Sequence, residues 1–144
     1  MTFFLDRNLG RKFAQHLIEA EIPVLQHDDL FSQTRTDQAW IQVVGEQGLV
    51  AVTRDKRIGQ NYLEQRAVAL ANLKLIVVIG GNVKTEELAE NFISTRMRLE
   101  RFADKYPAPF IAKLSRPSGQ TTKKKSSGAI RMYKSRDELL KLIH

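Results

Sequence analysis

Short apolar runs alternate along this chain with stretches whose apolar residues recur every three or four positions. Phe3, Phe4 and Leu5 form a run that stops at Asp6 and reads as a buried strand. From Asn8, a candidate N-cap, Leu9, Phe13, Leu17 and Ala20 follow helical spacing. Residues 22–25 read as a second strand, in which Pro23 favours an edge or the strand's start. The polar segment 27–35 reads as a loop whose Leu30 and Phe31 pack back onto the body. Thr36 caps a helix with Ala39, Trp40, Val43 and Val44 on its apolar face. Gly48 stops it, and 49–53 is a third strand.

After a polar stretch, residues 62–72 predict a helix. Residues 75–79 (LIVVI) predict a strand of the continuous apolar kind that is covered on both faces. Gly80 and Gly81 end it in a tight turn. Residues 85–105 form the longest helix, with Leu88, Phe92, Ile93, Met97 and Phe102 near one face, and Pro107 and Pro109 stop it. Strands at 110–114 and 129–133 flank the segment SRPSGQTTKKKSSG, and a helix at 136–143 is capped by Ser135. This order predicts a three-layer α/β/α fold with right-handed crossovers and a mainly parallel central sheet. Residues 1–106 form its body. Residues 107–144 form a C-terminal β-hairpin/helix extension packed on the same domain, the hairpin adding antiparallel pairing.

Chemistry enters through three carboxylates. Asp6 closes the first strand, Asp55 lies two residues past the third, and Asp37 sits in the first turn of the helix that follows the second. Parallel strands share one C-terminal edge, so the topology gathers all three there. Crowded carboxylates repel unless protonated or bound to a cation. Mg²⁺ or Mn²⁺ suits oxygen ligands, lowers the pKa of a bound water and clamps phosphodiester oxygens. Each acid also has a purely structural role open to it: Asp37 favours a helix's first turn, and Asp6 and Asp55 suit turns and caps. Arg7, Arg54, Lys56 and Arg57 stand beside them, to meet phosphates, to offset the acids, or as solvated loop charges.

Composition narrows the field. The 144 residues suit one domain, burying roughly 70% of its unfolded surface. The absence of cysteine excludes disulfides, thiolate nucleophiles and cysteine zinc sites. No apolar run approaches the ~20 residues of a membrane span, and the first residues do not read as a signal peptide. A soluble, cytoplasmic protein is expected, without a membrane partner. Three histidines are too few for a histidine-rich metal centre, and the adjacent His27, Asp28 and Asp29 converge poorly on one ion. Neither GxGxxG, a Walker pattern nor a nucleophile elbow is present.

The net charge of +7 is unevenly placed. Residues 1–100 carry 12 Lys and Arg against 13 Asp and Glu, whereas 101–144 carry 11 against 3. Such a tail suits an anionic partner, nucleic acid first and acidic protein or membrane surface second. Lys123, Lys124 and Lys125, with Arg116, Arg131 and Lys134 extending the patch, suit a loop that follows an RNA backbone. Docking of an acidic partner and simple solvation are the other readings.

The segments FLDRNL around Asp6, TDQAWIQVVGEQG around Asp37 and VAVTRDKRI around Asp55 resemble the PIN-like domain family. The likeness is greatest to the small bacterial VapC-like type, toxins of toxin–antitoxin pairs. It spans residue 2 to about residue 80, with LIVVIGG fitting the next family element, and rests on the order, spacing and strand-end placement of the motifs. The resemblance implies a metal-dependent endoribonuclease in which Asp6, Asp37 and Asp55 hold Mg²⁺ or Mn²⁺ and Thr53 is a polar neighbour. It implies RNA as substrate, products ending in 5′-phosphate and 3′-hydroxyl, a cognate antitoxin and a homodimer. A fourth acid is common in such nucleases; Glu64 is the candidate here, with Asp28 and Asp29 as alternatives. A non-catalytic PIN-like module binding nucleic acid or protein is the rival reading. A receiver-like domain would want paired acids after the first strand, but Arg7 and Asn8 follow Asp6.

Overall fold

The strand with the least access to water comes first in the chain. In a computed structural model, β1 (Phe3–Leu5) is flanked on both edges by parallel β2 (Val24–Gln26) and β3 (Val50–Thr53), and its two faces are buried in the two core clusters that cover the sheet. The structure describes residues 1–30, 37–116 and 128–144, without the side chains of 37–39 and 59. Thr36, Phe31 and Lys123 to Lys125 therefore lie outside the described residues. β4 (Lys74–Val78) and β5 (Phe110–Ser115) extend the parallel sheet, and β6 (Ala129–Lys134) closes it antiparallel to β5. The resulting order is β2-β1-β3-β4-β5-β6. Thus β5 itself continues the parallel run, and only β6 reverses.

Helices cover both faces. The strand alternation sends Phe3, Leu5, Val52, Ile76 and Phe110 to one face, against α1 (Gly10–Glu19) and α6 (Thr85–Lys105). Phe92 of α6 is the aromatic centre there, meeting Phe3 edge-on at 5.1 Å and Phe13 at 5.8 Å between centroids. Phe4, Ala51, Leu75 and Ile111 face α3 (Asp37–Glu46), α5 (Tyr62–Ala71) and α7 (Arg136–Leu140). Trp40 stacks on Phe4 at 5.3 Å and is wholly buried. Gly45 lets α3 approach α5: a Cβ there would run into the Ala71 carbonyl and methyl. α6 buries Leu88, Phe92, Thr95, Leu99 and Ala103, a register that turns Met97 out to solvent at 69% exposure rather than onto the expected apolar face.

The order 2-1-3-4-5 is one of the doubly wound arrangements, with its switch point between β1 and β3, where the connections diverge to opposite faces. One connection departs from the expected hand. The α5 and α6 crossovers move the chain in the same direction along the sheet but lie on opposite faces, so β4–α6–β5 has the hand opposite to β3–α5–β4. α6 also fastens both ends of the β5–β6 connection. Asn91 Nδ2 donates to the Ser115 carbonyl at 3.2 Å, Thr95 Oγ1 accepts from Gly128 N–H at 2.8 Å, and Arg98 donates to the Gly128 carbonyl at 2.7 Å.

Candidate active site

The C-terminal ends of β1 and β3 meet at the switch point. Asp6 N–H continues the ladder by donating to the Val52 carbonyl at 2.9 Å, after which the chain turns. Asp6 then caps a 3₁₀ turn (Arg7–Leu9), its Oδ1 accepting from Arg7 N–H at 2.7 Å. Its other oxygen, Oδ2, accepts from the Thr53 hydroxyl at 2.7 Å, and the carboxylate is buried. Thr53, the last residue of β3, is itself fully buried, and its Oγ1 also accepts from Asp55 N–H at 3.1 Å. One hydroxyl therefore joins the Asp6 carboxylate to the Asp55 backbone.

Asn8 completes this knot. Its Nδ2 donates to Thr53 Oγ1 at 3.1 Å and its Oδ1 accepts from Arg54 N–H at 3.1 Å. Sequence reasoning made Asn8 a helix cap. The cap belongs instead to Asp6, and Asn8 reaches across 45 positions of sequence to the end of β3.

Asp55 caps as well, accepting from Arg57 N–H at 2.9 Å where α4 (Arg57–Gln60) begins. The Arg57 guanidinium grips both its oxygens, at 3.1 and 3.2 Å. That side-chain hydrogen bond holds the Asp55 carboxyl below its ordinary value, outweighing the opposing effect of burial. Both structural roles foreseen for Asp6 and Asp55 are thus realised at the same edge.

The remaining candidates are distributed around them. Asp37 is the first residue of α3, and three residues on Trp40 stacks on Phe4, the middle residue of β1. Its side chain lies outside the described residues. Glu64, half-buried, is in the first turn of α5, where Asn61 Oδ1 accepts from Leu63 N–H at 2.9 Å and Glu64 N–H at 3.2 Å. Arg54 donates to the Gly81 carbonyl at 3.0 Å, tying the end of β3 to that of β4. Arg7 turns the other way, donating to the buried His27 Nδ1 at 3.2 Å and lying 3.9 Å from Asp28. Together they line a cleft of about 100 Å³ with Asp6, Arg11 and Gln26. Asp29 holds the Gln26 N–H at 2.7 Å, so this acid serves the short α2 (His27–Leu30). Among the described residues no three carboxylates or imidazoles converge as a ligand set, so Asp6, Asp55 and Glu64 do not make one alone.

The family model described as "PIN like domain" matches residues 1–80, the stretch from β1 through β4 that carries all of these acids. The chain belongs to the PIN-like domain family. This PIN-like chain is also 27% identical over 113 residues to "Putative ribonuclease VapC45" of Mycobacterium tuberculosis (strain ATCC 25618 / H37Rv). That match covers 75% of the chain and 81% of the mycobacterial protein. No solved structure matches significantly. In the PIN-like chain described here, no helix among the described residues is long and apolar enough to cross a membrane.

Proposed function

We propose that this PIN-like chain is an endoribonuclease hydrolysing RNA phosphodiester bonds, with Asp6, Asp37 and Asp55 holding Mg²⁺ or Mn²⁺ and Glu64 as a fourth acid. The observation that carries this reading is the Thr53 hydroxyl bonded to both the Asp6 carboxylate and the Asp55 backbone at the sheet's switch point. The donor set is all oxygen, which fits a hard cation, and Asp6 is oriented by two donors before any ion arrives. When bound, the ion would polarise the scissile phosphate and acidify attacking water.

The chain's own residues do the rest. Thr53 and Asn8 orient the acid, while Arg57 screens Asp55 and, at 83% exposure, is able to swing to a phosphate oxygen. Arg54 and Lys56 meet neighbouring phosphates at the rim. Water adds to phosphorus and the 3′-oxygen departs with a proton, leaving 5′-phosphate and 3′-hydroxyl ends. Residues 1–106 carry this chemistry, and the extension 107–144, with Lys123 to Lys125, contacts RNA or an antitoxin. The wider setting is a cytoplasmic toxin–antitoxin pair, the chain acting as a homodimer.

The test is RNA cleavage in Mn²⁺ or Mg²⁺, with and without EDTA, by wild type, Asp6→Asn and Asp55→Asn. Asparagine still caps a turn, so these substitutions remove charge while keeping the local fold. Cleavage lost in both variants and in EDTA supports the reading; cleavage surviving both substitutions sinks it. A second reading, a binding module without turnover, is favoured by Arg57's grip on Asp55. It predicts salt-sensitive RNA binding that the same substitutions leave intact.

A further inference from the structure

Strand register draws a line of residues across one face of the sheet. Leu5 pairs with Val52, which brings Asp6 beside Thr53; Thr53 then pairs with Val77, Val77 with Lys113, and Lys113 with Arg131. Residues paired in this way share a face. The line begins at the candidate active site and ends in two cations, about 10 and 14 Å from Thr53 at the usual strand spacing.

These cations are held together without a counter-charge. Among the described residues, no carboxylate forms an ion pair with Lys56, Lys113 or Arg131. Their neighbours differ: Arg116 pairs with Glu87 at 3.3 Å and Lys134 with Glu138 at 3.9 Å. Lys113 Nζ is fixed 3.8 Å from the Tyr133 ring centroid. Burial, then the charges of Arg131 and Lys56, push the Lys113 ammonium below its ordinary value. Like charges so arranged repel unless an anion sits among them.

We infer that Lys113 and Arg131, paired across β5 and β6, with Lys56 following Asp55 in the chain, form a phosphate track for a single RNA strand that passes the Asp6–Asp55 site, an inference resting on the nuclease reading above. RNA fits better than an acidic protein. A protein partner needs apolar anchors, whereas Lys113 and Arg131 offer charge, and Val77 beside Lys113 in the sheet is fully buried. Lys113 and Arg131 are instead adjacent point charges, separated in the sheet from Thr53 by the buried Val77, an arrangement suited to phosphates of a strand passing over that edge.

The experiment uses the full chain and a single-stranded RNA oligonucleotide. Binding is followed by fluorescence anisotropy across a salt series in EDTA, and cleavage in Mn²⁺. The variants are K113A/R131A and a matched control, R101A/K105A, which removes the same charge from α6. Removing two phosphate contacts lowers the slope of log affinity against log salt by about 1.4. K113A/R131A should show that change, and its cleavage loss should fall on KM. The control should bind as wild type does. An unchanged slope in K113A/R131A, or an equal change in the control, overturns the track even where wild type cleaves. Weakened binding of polyglutamate in place of RNA overturns it in favour of an acidic protein partner. Wild type that binds RNA with the expected slope loss in the variant, yet never cleaves, retains the track and removes the nuclease reading.

Discussion

The Thr53 hydroxyl donates to Asp6 Oδ2 at 2.7 Å across the junction of two parallel strands, and both groups are buried. A buried carboxylate deprived of such a donor is costly, about 1–3 kcal/mol. Thr53→Val keeps the shape and removes the bond. It should lower stability by about that amount, and cleavage by roughly 10–100-fold as the acid loses its support. Thr53→Ser should recover both. Urea unfolding followed by the fluorescence of Trp40, the single tryptophan, together with cleavage rates, reads the two effects separately.

Arg57 and Asp55 make a pH-dependent pair. The folded-state pKa of Asp55 is depressed, so its contribution is present above the unfolded value and is lost as pH falls through the folded one. Arg57→Ala should therefore destabilise the protein at neutral pH, by less than about 1 kcal/mol because the arginine is exposed. The gap in Tm from wild type should close as pH drops below roughly 4. A gap that persisted at low pH would assign the effect to packing.

The same substitution frees the Asp55 carboxylate from an intramolecular competitor. Titration with Mn²⁺, read by water-proton relaxation, should show tighter binding in Arg57→Ala than in wild type. Asp55→Asn should bind more weakly. Equal affinities in all three proteins would remove Asp55 from the ligand set.

Gly45 is a packing requirement. Gly45→Ala drives a methyl into the Ala71 carbonyl, and overpacking of this kind costs about 1–3 kcal/mol. Because α3 also begins with Asp37, one of the proposed metal-holding acids, the strain should reach the proposed site. Cleavage should fall further than the population of unfolded protein accounts for, measured at a temperature where both proteins are folded.

At the other end of the sheet, Thr95→Val removes the acceptor for Gly128 N–H. Amide exchange should quicken at Gly128 and along β6, with stability down by about 1–3 kcal/mol, while β1 and β3 keep their protection.

Much of this was legible because the signals are local. The runs FFL, VAVT and LIVV are strands, and Thr85 to Lys105 spans one helix as its periodicity and terminal prolines indicate. Asn72 ends α5 in the left-handed conformation, φ 56°, and the Ser135 capping box starts α7. The short helices α2 and α4 were read as loop and polar stretch, since four residues carry too little periodicity to show. At the site, the strand-end positions of Asp6 and Asp55 follow from chain order. The bonds of Asn8 to Thr53 and Arg54 do not, because they depend on which strand lies beside β1. The same holds for the Lys113–Arg131 pairing and for Met97, whose exposure is decided by the angular register of α6.

Fastening by α6 at Ser115 and Gly128 has a consequence for how this chain can change. The register of β5 and β6 is anchored at the two ends of their connection, whatever residues the connection contains. Its length and charge can therefore drift between descendants, or be rewritten by an engineer, while the edge that carries Asp6, Thr53 and Asp55 keeps its geometry. The fold contains a cassette position between β5 and β6, set apart from the Asp6–Thr53 junction.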